Sequence, residues 1–546
     1  ALALAYKEVA MSNYFGAMLD MSRNAVMKPD EVKQYALTLK KLGYNMLQLY
    51  TEDTYEVDGE PYFGYLRGRY SQDELRDIVA YCDSIGVEVI PCVQTLAHLN
   101  AIFKWDIYRK TILDYDDILL IEDPRTYELI ENMVKTLRAC FTSKYIHIGC
   151  DEAHMVGLGK YLDKHGYQNR FDIIRRHLDK VLEITKKYNF HPMMWSDMFF
   201  RLANKGIYHS ADAVITDDIV DSCPEGIDLV FWEYYANTYD FYDTMIRSHQ
   251  KFRRDIWFAG GNWTWMGWAP HNKWSVESMQ PAMQACRKHG ITNIFTTLWG
   301  DDGKECSYYS VLPSLYAIRR FYDGVEDMDI IKREFAEITG EDFDAMMRLD
   351  IPNDITDNRS YSANPSKYML YSDPFLGFLD STIVPDAPAK YAEYARVLAK
   401  DAENSKSFGY IFTCEAKLCE VLALKYDLGV RTHKAYKDKN MDALRALAED
   451  YANIIALVEE FHELFEELWF RENKPHGFDV QDQRIGGLLL RLHTCRKRLL
   501  AYVNGSIDSI PELEEALLDY HSNGNPRKEY ALTFNNWSKT VTVNPI

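Results

Sequence analysis

Short apolar runs alternate with amphipathic stretches through the first part of the chain. Runs of strand length occupy residues 15–19, 46–50, 88–92, 145–148, 193–195, 228–232, 257–259 and 293–298. A strand covered on both faces reads as a nearly continuous apolar run, as these do. Between them the period lengthens. Residues 30–42 carry Val32, Tyr35, Leu39 and Leu42 at helical spacing, and Ser71 is followed three residues on by Glu74, the pattern of a capping box opening a helix over 71–84. Gly43 and Gly86 follow these stretches, where a helix stop belongs. Eight strand–helix units by residue 322 predict a (β/α)8 TIM barrel over residues 1–322. The alternative, a doubly wound sheet, needs fewer units and a Gly-rich phosphate loop, which is absent.

Beyond residue 322 the strand pattern stops. Residues 356–388, rich in Asp, Asn, Ser and Pro, read as a connector. Helical periods then cover 390–400, 410–434, 441–470 and 480–503. Residues 323–546 are thus expected to form a mainly α-helical C-terminal domain. Residues 528–545 alternate Tyr530, Leu532, Phe534, Val541 and Val543 and read as a strand pair or an extended tail.

Composition narrows the function. Hydrophobic residues make up 47% and charged residues 26%, values of a soluble globular chain whose 546 residues exceed a single core. A net charge of −20 argues against a nucleic-acid partner, which a basic surface would attract. No apolar run approaches the roughly 20 residues of a membrane helix. The apolar start, Ala1 to Ala5, lacks a basic flank and an extended core, so no signal peptide is read there and a cytoplasmic location is expected; a processed N-terminus would leave an extracellular one open. The ten cysteines form no C-x-x-C and read as buried thiols in a reducing compartment. No metal-ligand spacing stands out, and no cofactor is expected.

The C-terminal ends of barrel strands share one mouth. In order they bring Asp20 and Arg23; Glu52 and Asp53; Gln94 and His98; Asp151 and Glu152; Trp195 and Asp197; Trp232, Glu233, Tyr234 and Tyr235; Asn262, Trp263, Trp265 and Trp268; and Trp299, Asp301 and Asp302. Carboxylates and tryptophans converging on one pocket suit a sugar: aromatic faces stack on its C–H faces and carboxylates accept its hydroxyl protons. The adjacent Asp151 and Glu152 fit poorly with two catalytic carboxyls set about 5 Å or more apart. They fit hydrolysis assisted by the substrate's own 2-acetamido group, where one carboxyl is the acid and the other orients that group. Like charge and burial should raise one of the two carboxyls, as an acid requires. Two other readings stay open: a barrel glycosidase with a conventional nucleophile such as Glu233 or Asp301, and a non-catalytic sugar-binding barrel.

The run Ile146-His147-Ile148-Gly149-Cys150-Asp151-Glu152 resembles the H-x-G-G-D-E signature of glycoside hydrolase family 20, the β-N-acetylhexosaminidases, with Cys150 for the second glycine. Leu19-Asp20-Met21-Ser22-Arg23 resembles the family's L-D-x-x-R. The run from Pro91 to His98 resembles P-E-x-D-x-P-G-H, with Gln94 at the Asp, and Trp195-Ser196-Asp197 and Trp299-Gly300-Asp301 resemble W-x-D/E. The resemblance covers residues 12–322 and a bacterial-type subgroup with a C-terminal helical domain. With strand one starting near Phe15, the small α/β domain that often precedes the barrel is not expected in this stretch, and Phe15 stands before Gly16 where the family often has Arg. The resemblance implies Glu152 as general acid/base and Asp151 as holder of the acetamido nitrogen. It implies Trp195, Trp232 and Trp299 as walls, Tyr235 as donor to the acetamido oxygen, and His98 as a group tuning the acid. Arg23, Trp265, Asp301 and Asp302 complete the expected sugar contacts. The implied substrate carries a terminal β-GlcNAc or β-GalNAc, and a homodimer is one arrangement open to the helical domain.

Overall fold

A computed structural model describes residues 13–355, 363–520, 532–533 and 537–541. Ten strands are present among the described residues: β1 (Tyr14–Asp20), β2 (Met46–Tyr50), β3 (Glu88–Cys92), β4 (Leu113–Tyr115), β5 (Ile118–Leu119), β6 (Tyr145–His147), β7 (His191–Trp195), β8 (Asp228–Glu233), β9 (Ile256–Gly261) and β10 (Asn293–Leu298). Eight of them close a barrel in the order β1-β10-β9-β8-β7-β6-β3-β2, and its neighbouring strands run parallel. These are the eight apolar runs of the sequence. Their buried residues, Phe15, Met46, Ile90, Ile146, Met194, Phe231, Phe258 and Ile294 among them, explain why the runs are continuous. The remaining pair, β4 and β5, is a small antiparallel hairpin after β3 that the sequence pattern does not announce.

The crossovers are helical. Pro29–Lys41 has Pro at its start, and Gln72–Ser84 opens with the expected box: the Glu74 amide donates to Ser71 Oγ at 3.1 Å and the Ser71 amide to the Glu74 carboxylate at 2.8 Å. Two orphan amides are satisfied reciprocally, which fixes where the chain turns from β2 toward β3.

The chain groups into two units. The first runs to Asn262 and adds Trp274–Trp299 and Ser314–Ile338. The second holds Trp263–Lys273, Gly300–Pro313 and the chain from Thr339 onward. The second unit is helical. Ala387–Asn404, Met441–Glu472 and Phe478–Val503 answer three of the expected helices. The expected fourth, over 410–434, is two helices, Gly409–Lys425 and Leu428–Lys437. The connector carries structure of its own, a helix at Pro365–Tyr371 begun by its proline. The expected strand pair or tail over 528–545 lies mostly outside the described residues; within the described part Thr533 bridges Ala363 and Trp537–Thr540 is a helical turn. No helix among the described residues is long and apolar enough to cross a membrane.

Candidate active site

The site grows from a tight turn at the end of β6. Gly149, Cys150 and Glu152 all have left-handed backbone, with φ of 72°, 68° and 50°. Such φ is costly for residues with a Cβ and persists only where surroundings over-determine it. They do so here. The Cys150 amide donates to Gln94 Oε1 at 3.2 Å, Cys150 Sγ lies 3.2 Å from Thr95 Oγ1, and the Glu152 amide donates to Asp197 Oδ2 at 3.1 Å. A Cβ on Gly149 would stand 2.1 Å from Gln94 Oε1, so only glycine fits. The turn sends adjacent carboxylates into different surroundings.

Asp151 is buried, with Gln94 Nε2 donating to Oδ1 at 2.7 Å and His98 Nε2 at 3.2 Å from Oδ2. Burial alone would raise this carboxyl; the His98 ring and the Gln94 amide outweigh it and hold Asp151 low, at about 2. Burial opposes charge on His98 too, but the Asp151 carboxylate lifts that ring to about 10. The two form a buried ion pair.

Glu152 is more open, its side chain 39% exposed. Its Oε1 meets Arg201 Nη2 at 3.1 Å, and its Oε2 lies 3.7 Å from His98 Nε2. Arg201 also donates through Nε to Asp197 at 2.8 Å. Asp197 is buried and raised to about 6, first by burial, then by the Asp151 charge, with Arg201 opposing. The like-charge argument places a raised carboxyl in the doublet. Asp151 instead falls, because His98 and Gln94 outweigh its burial, while nearby Asp197 is raised because burial and the Asp151 charge outweigh Arg201.

Aromatic rings stand around the strand ends. Trp195 lies 4.4 Å from the His147 ring and 6.1 Å from Trp299 between ring centroids. Trp232 lies 4.9 Å from Tyr208 and 5.1 Å from Tyr234. The indole N–H groups of Trp195 and Trp232 are buried without a hydrogen-bond partner among the described residues, a deficit that a polar ligand would relieve. Burial drops His147 to about 3, so it is a neutral wall. Opposite, Asp20 clamps Arg23 at 2.9 Å, Arg23 reaches Glu52 at 3.4 Å, and its guanidinium lies 5.0 Å over the Trp299 ring.

The structure brings together Arg23, His98, Asp151, Glu152, Trp195, Trp232 and Trp299 from the sequence-derived set. Tyr235 lies further out, ring edge-on to His209 at 5.0 Å and lining a separate cavity of about 330 Å³. Tyr234 is the buried one of the pair, its hydroxyl engaged with Thr297 and Trp299. Trp265, Asp301 and Asp302 belong to segments of the second unit. Trp265 stacks on Trp263 there at 4.4 Å, and the backbone of Asp302 accepts from Lys367 Nζ at 3.3 Å. Arg201, Asp197 and Gln94 are site members that sequence reasoning passed over or left without a role. The four-residue spacing of Asp197 and Arg201 on one helix is the signal that marks them. Glu233 is occupied, its carboxylate taking His209 Nδ1 at 2.7 Å and the amides of Tyr235 and Ala236.

A closed parallel barrel with buried acids and indoles at its strand ends defines the class. The model of the glycosyl hydrolase family 20 catalytic domain matches residues 13–237, and that of the glycoside hydrolase 20C C-terminal domain matches residues 341–532, together well over half of the chain. The chain belongs to glycoside hydrolase family 20. Curated relatives include a beta-hexosaminidase of Emericella nidulans, 23% identical over 257 residues that cover 41% of this chain and 41% of the relative. Hexosaminidase D of Bos taurus is 23% identical over 259 residues, 46% of this chain and 70% of the relative. The chain thus spans less than half the length of the first of these. Among solved structures, a family 20 exo-β-N-acetylglucosaminidase of Vibrio harveyi in complex with N-acetylglucosamine matches with a TM-score of 0.47 at 15% identity, over 60% of this chain and 58% of the other.

Proposed function

We propose that this protein is an exo-acting β-N-acetylhexosaminidase that removes a terminal β-GlcNAc or β-GalNAc with retention, the substrate's acetamido oxygen being the nucleophile. The observation that carries the reading is the split character of the doublet. Asp151 is buried, ionised and pinned by His98 and Gln94, while Glu152, its neighbour, is open. A fixed anion among aromatic walls suits the N–H of a group that becomes cationic; an accessible carboxyl suits proton exchange with a leaving group.

In the first step the acetamido oxygen bonds to C1 as the C1–O glycosidic bond breaks. Glu152 gives its proton to the departing oxygen, and Asp151 accepts a hydrogen bond from the nitrogen of the cyclic oxazolinium ion. In the second, Glu152 takes a proton from water as that oxygen bonds to C1 and the ring reopens. The walls are Trp195, Trp232 and Trp299. Tyr234 or Tyr235 donates to the acetamido oxygen, and Arg23, Trp265, Asp301 and Asp302 hold the rest of the sugar. Residues 1–322 serve as the catalytic domain and 323–546 as its helical companion. A homodimer in the cytoplasm belongs to the same reading; the ten cysteines are unpaired and buried, consistent with a reducing compartment.

The test is turnover of p-nitrophenyl β-GlcNAc, β-GalNAc and β-glucoside in parallel. The 2-acetamido sugars are expected to react and the glucoside not to. Comparable rates, or a fluoro-sugar adduct trapped on Glu233, would instead support a conventional nucleophile. Sedimentation checks the dimer.

A further inference from the structure

We propose that Asp197 and Arg201 are positioning residues for the acid/base: Arg201 divides one guanidinium between Asp197 and Glu152, so the charge on Asp197 governs when Glu152 holds its proton. This rests on the proposed function, which makes Glu152 the acid, and adds the groups that control that acid.

Both residues come from the short helix Asp197–Ala203 after β7, one turn apart. Asp197 is fully buried and Arg201 nearly so, with 13% of its side chain exposed. The arginine distributes its donors over three acceptors. Nε meets Asp197 Oδ2 at 2.8 Å, Nη2 meets Glu152 Oε1 at 3.1 Å, and Nη1 meets the Gly206 carbonyl at 3.2 Å. Other arginines of this protein sit on one acid. Arg125 places two nitrogens on Glu60 at 2.7 and 2.6 Å, and Arg348 two on Asp401, both at 2.7 Å. A fork seated on one carboxylate makes a strong, closed ion pair. A guanidinium divided between two acids couples them instead.

Asp197 is satisfied on one oxygen only. Its Oδ2 accepts the Glu152 amide at 3.1 Å as well as Arg201, whereas Oδ1 is buried with no hydrogen-bond partner among the described residues. A buried carboxylate oxygen left in that state is costly, and a proton on it removes the charge. Oδ1, the oxygen that Arg201 leaves alone, is therefore where Asp197 takes its proton.

The charges of the cluster leave one proton to place. Asp151, Glu152 and Asp197 supply three carboxyls, and His98 and Arg201 supply two cations. His98 and Gln94 hold Asp151 ionised. A single proton then brings the cluster to neutrality, and Glu152 and Asp197 compete for it. Asp197, raised to about 6 first by burial and then by the Asp151 charge, is ionised above that pH. Arg201 is then matched by Asp197, and Glu152 can keep the proton. With Asp197 protonated, the whole guanidinium charge falls on Glu152 and favours its carboxylate. The other groups facing this cluster stay neutral: burial raises the Tyr208 hydroxyl and the Cys150 thiol, and burial and Arg201 lower the His154 ring. Arg170 lies beyond, donating to the His154 carbonyl.

Such a pair suits a group that is an acid in one step and a base in the next. The Asp197 charge lets Glu152 begin protonated, and Arg201 meets the carboxylate once the proton has left for the glycosidic oxygen.

The experiment is the pH profile of kcat/KM on the β-1,4-linked GlcNAc disaccharide, with p-nitrophenyl β-GlcNAc alongside, for wild type, Asp197→Asn, Arg201→Gln and Arg201→Lys. Loss of the acid's proton forms the alkaline limb. Asp197→Asn leaves Arg201 unmatched, so that limb should move down by about one pH unit, with up to about tenfold lost above it. Arg201→Gln leaves Glu152 beside Asp197 without their cation, so the limb should move up by about one unit, with kcat lowered and KM little changed. Arg201→Lys keeps the charge and should hold the limb within about 0.3 unit of wild type. The aryl substrate, whose leaving group needs little protonation, should show each shift weakly. Opposite shifts from the two neutralising substitutions support the proposal, because damaged packing lowers a rate without moving the limb in a direction set by charge. Limbs that stay in place, or move the same way in both, would overturn it and leave the proposed function standing. Should Arg201→Gln not fold by circular dichroism, the other two variants decide: a limb lowered in Asp197→Asn and kept in Arg201→Lys supports the proposal, and any other pattern overturns it. Glu152→Gln, run in the same series, separates the two readings. Equal losses on disaccharide and aryl glycoside would remove the acid itself, and this proposal with it.

Discussion

Both units bury charge, and they differ in where the partly matched groups gather. In the helical unit the Glu415 carboxyl is buried without a hydrogen-bond partner among the described residues, and other buried charges are matched locally. Lys425 donates to the carbonyls of Met369 and Ser372 at 2.9 and 2.8 Å, and Lys367 meets Glu305 at 2.8 Å. Glu341 accepts the amides of Lys406 and Ser407 and the Ser405 hydroxyl, tying down the chain ahead of Gly409–Lys425. In the barrel, partly matched groups gather at the strand ends: the Asp151–His98 pair, the Arg201 bridge from Asp197 to Glu152, and two indole N–H groups without acceptors among the described residues. Charge burial alone therefore does not mark function. Burial that leaves polar groups still to be satisfied, at a common mouth, does.

Several substitutions would break or sharpen this contrast. The largest effect belongs to Asp151→Asn, expected to cut kcat/KM on p-nitrophenyl β-GlcNAc by about 10³-fold or more while the fold, read by circular dichroism, persists. Glu152→Gln comes next. It should lose about 10²–10⁴-fold on disaccharides and distinctly less on aryl glycosides, whose leaving groups need little protonation; equal losses would remove its role as acid. In the helical unit, Glu341→Ala should cost about 1–3 kcal/mol in urea unfolding through its stranded donors, with kcat per folded molecule unchanged. A fall in kcat there would blur the distinction.

A subtler test uses pH. His98 is raised to about 10 from a usual value near 6.5, so its share of stability is complete below pH 6.5 and is lost as pH rises through 10. Asp151, lowered to about 2, contributes above its ordinary range and loses that share as pH falls through 2. The stability gap between wild type and His98→Gln should therefore narrow from pH 6.5 to pH 10; a constant gap would mean that the ring is not charged. The smallest change is expected of Cys150→Gly. Relief of left-handed strain and loss of the Thr95 contact and chain stiffness should nearly cancel, within about 1 kcal/mol.

The barrel strands were legible because parallel strands are buried on both faces and leave apolar runs, and because acids and tryptophans follow most of those runs. Asp151, Glu152 and Trp195 could be placed from position alone. Less legible were contacts between loops distant in sequence. The pairing of Gln94 with the Cys150 amide, and of Asp117 with the His98 amide at 3.0 Å, depends on chain paths that no periodicity records. The choice between Tyr234 and Tyr235 hangs on side-chain direction after the strand has ended. The break at Tyr426–Asp427 escaped because helical spacing continues across it.

The meeting of β3 and β6 carries one more consequence. These strands share a single residue pair, Cys92 with His147, where most neighbouring barrel strands share five or six. Beyond it, the closure is continued by the Val93 and Thr95 amides and by side chains, with Thr95 Oγ1 on the Ile148 carbonyl and Gln94 on the Cys150 amide. The cylinder is thus stitched shut by the same residues that aim its chemistry. Amide hydrogen exchange should find its fastest-opening barrel edge there, and a catalyst improved by loosening Gln94 would become, in the same stroke, a barrel easier to unzip.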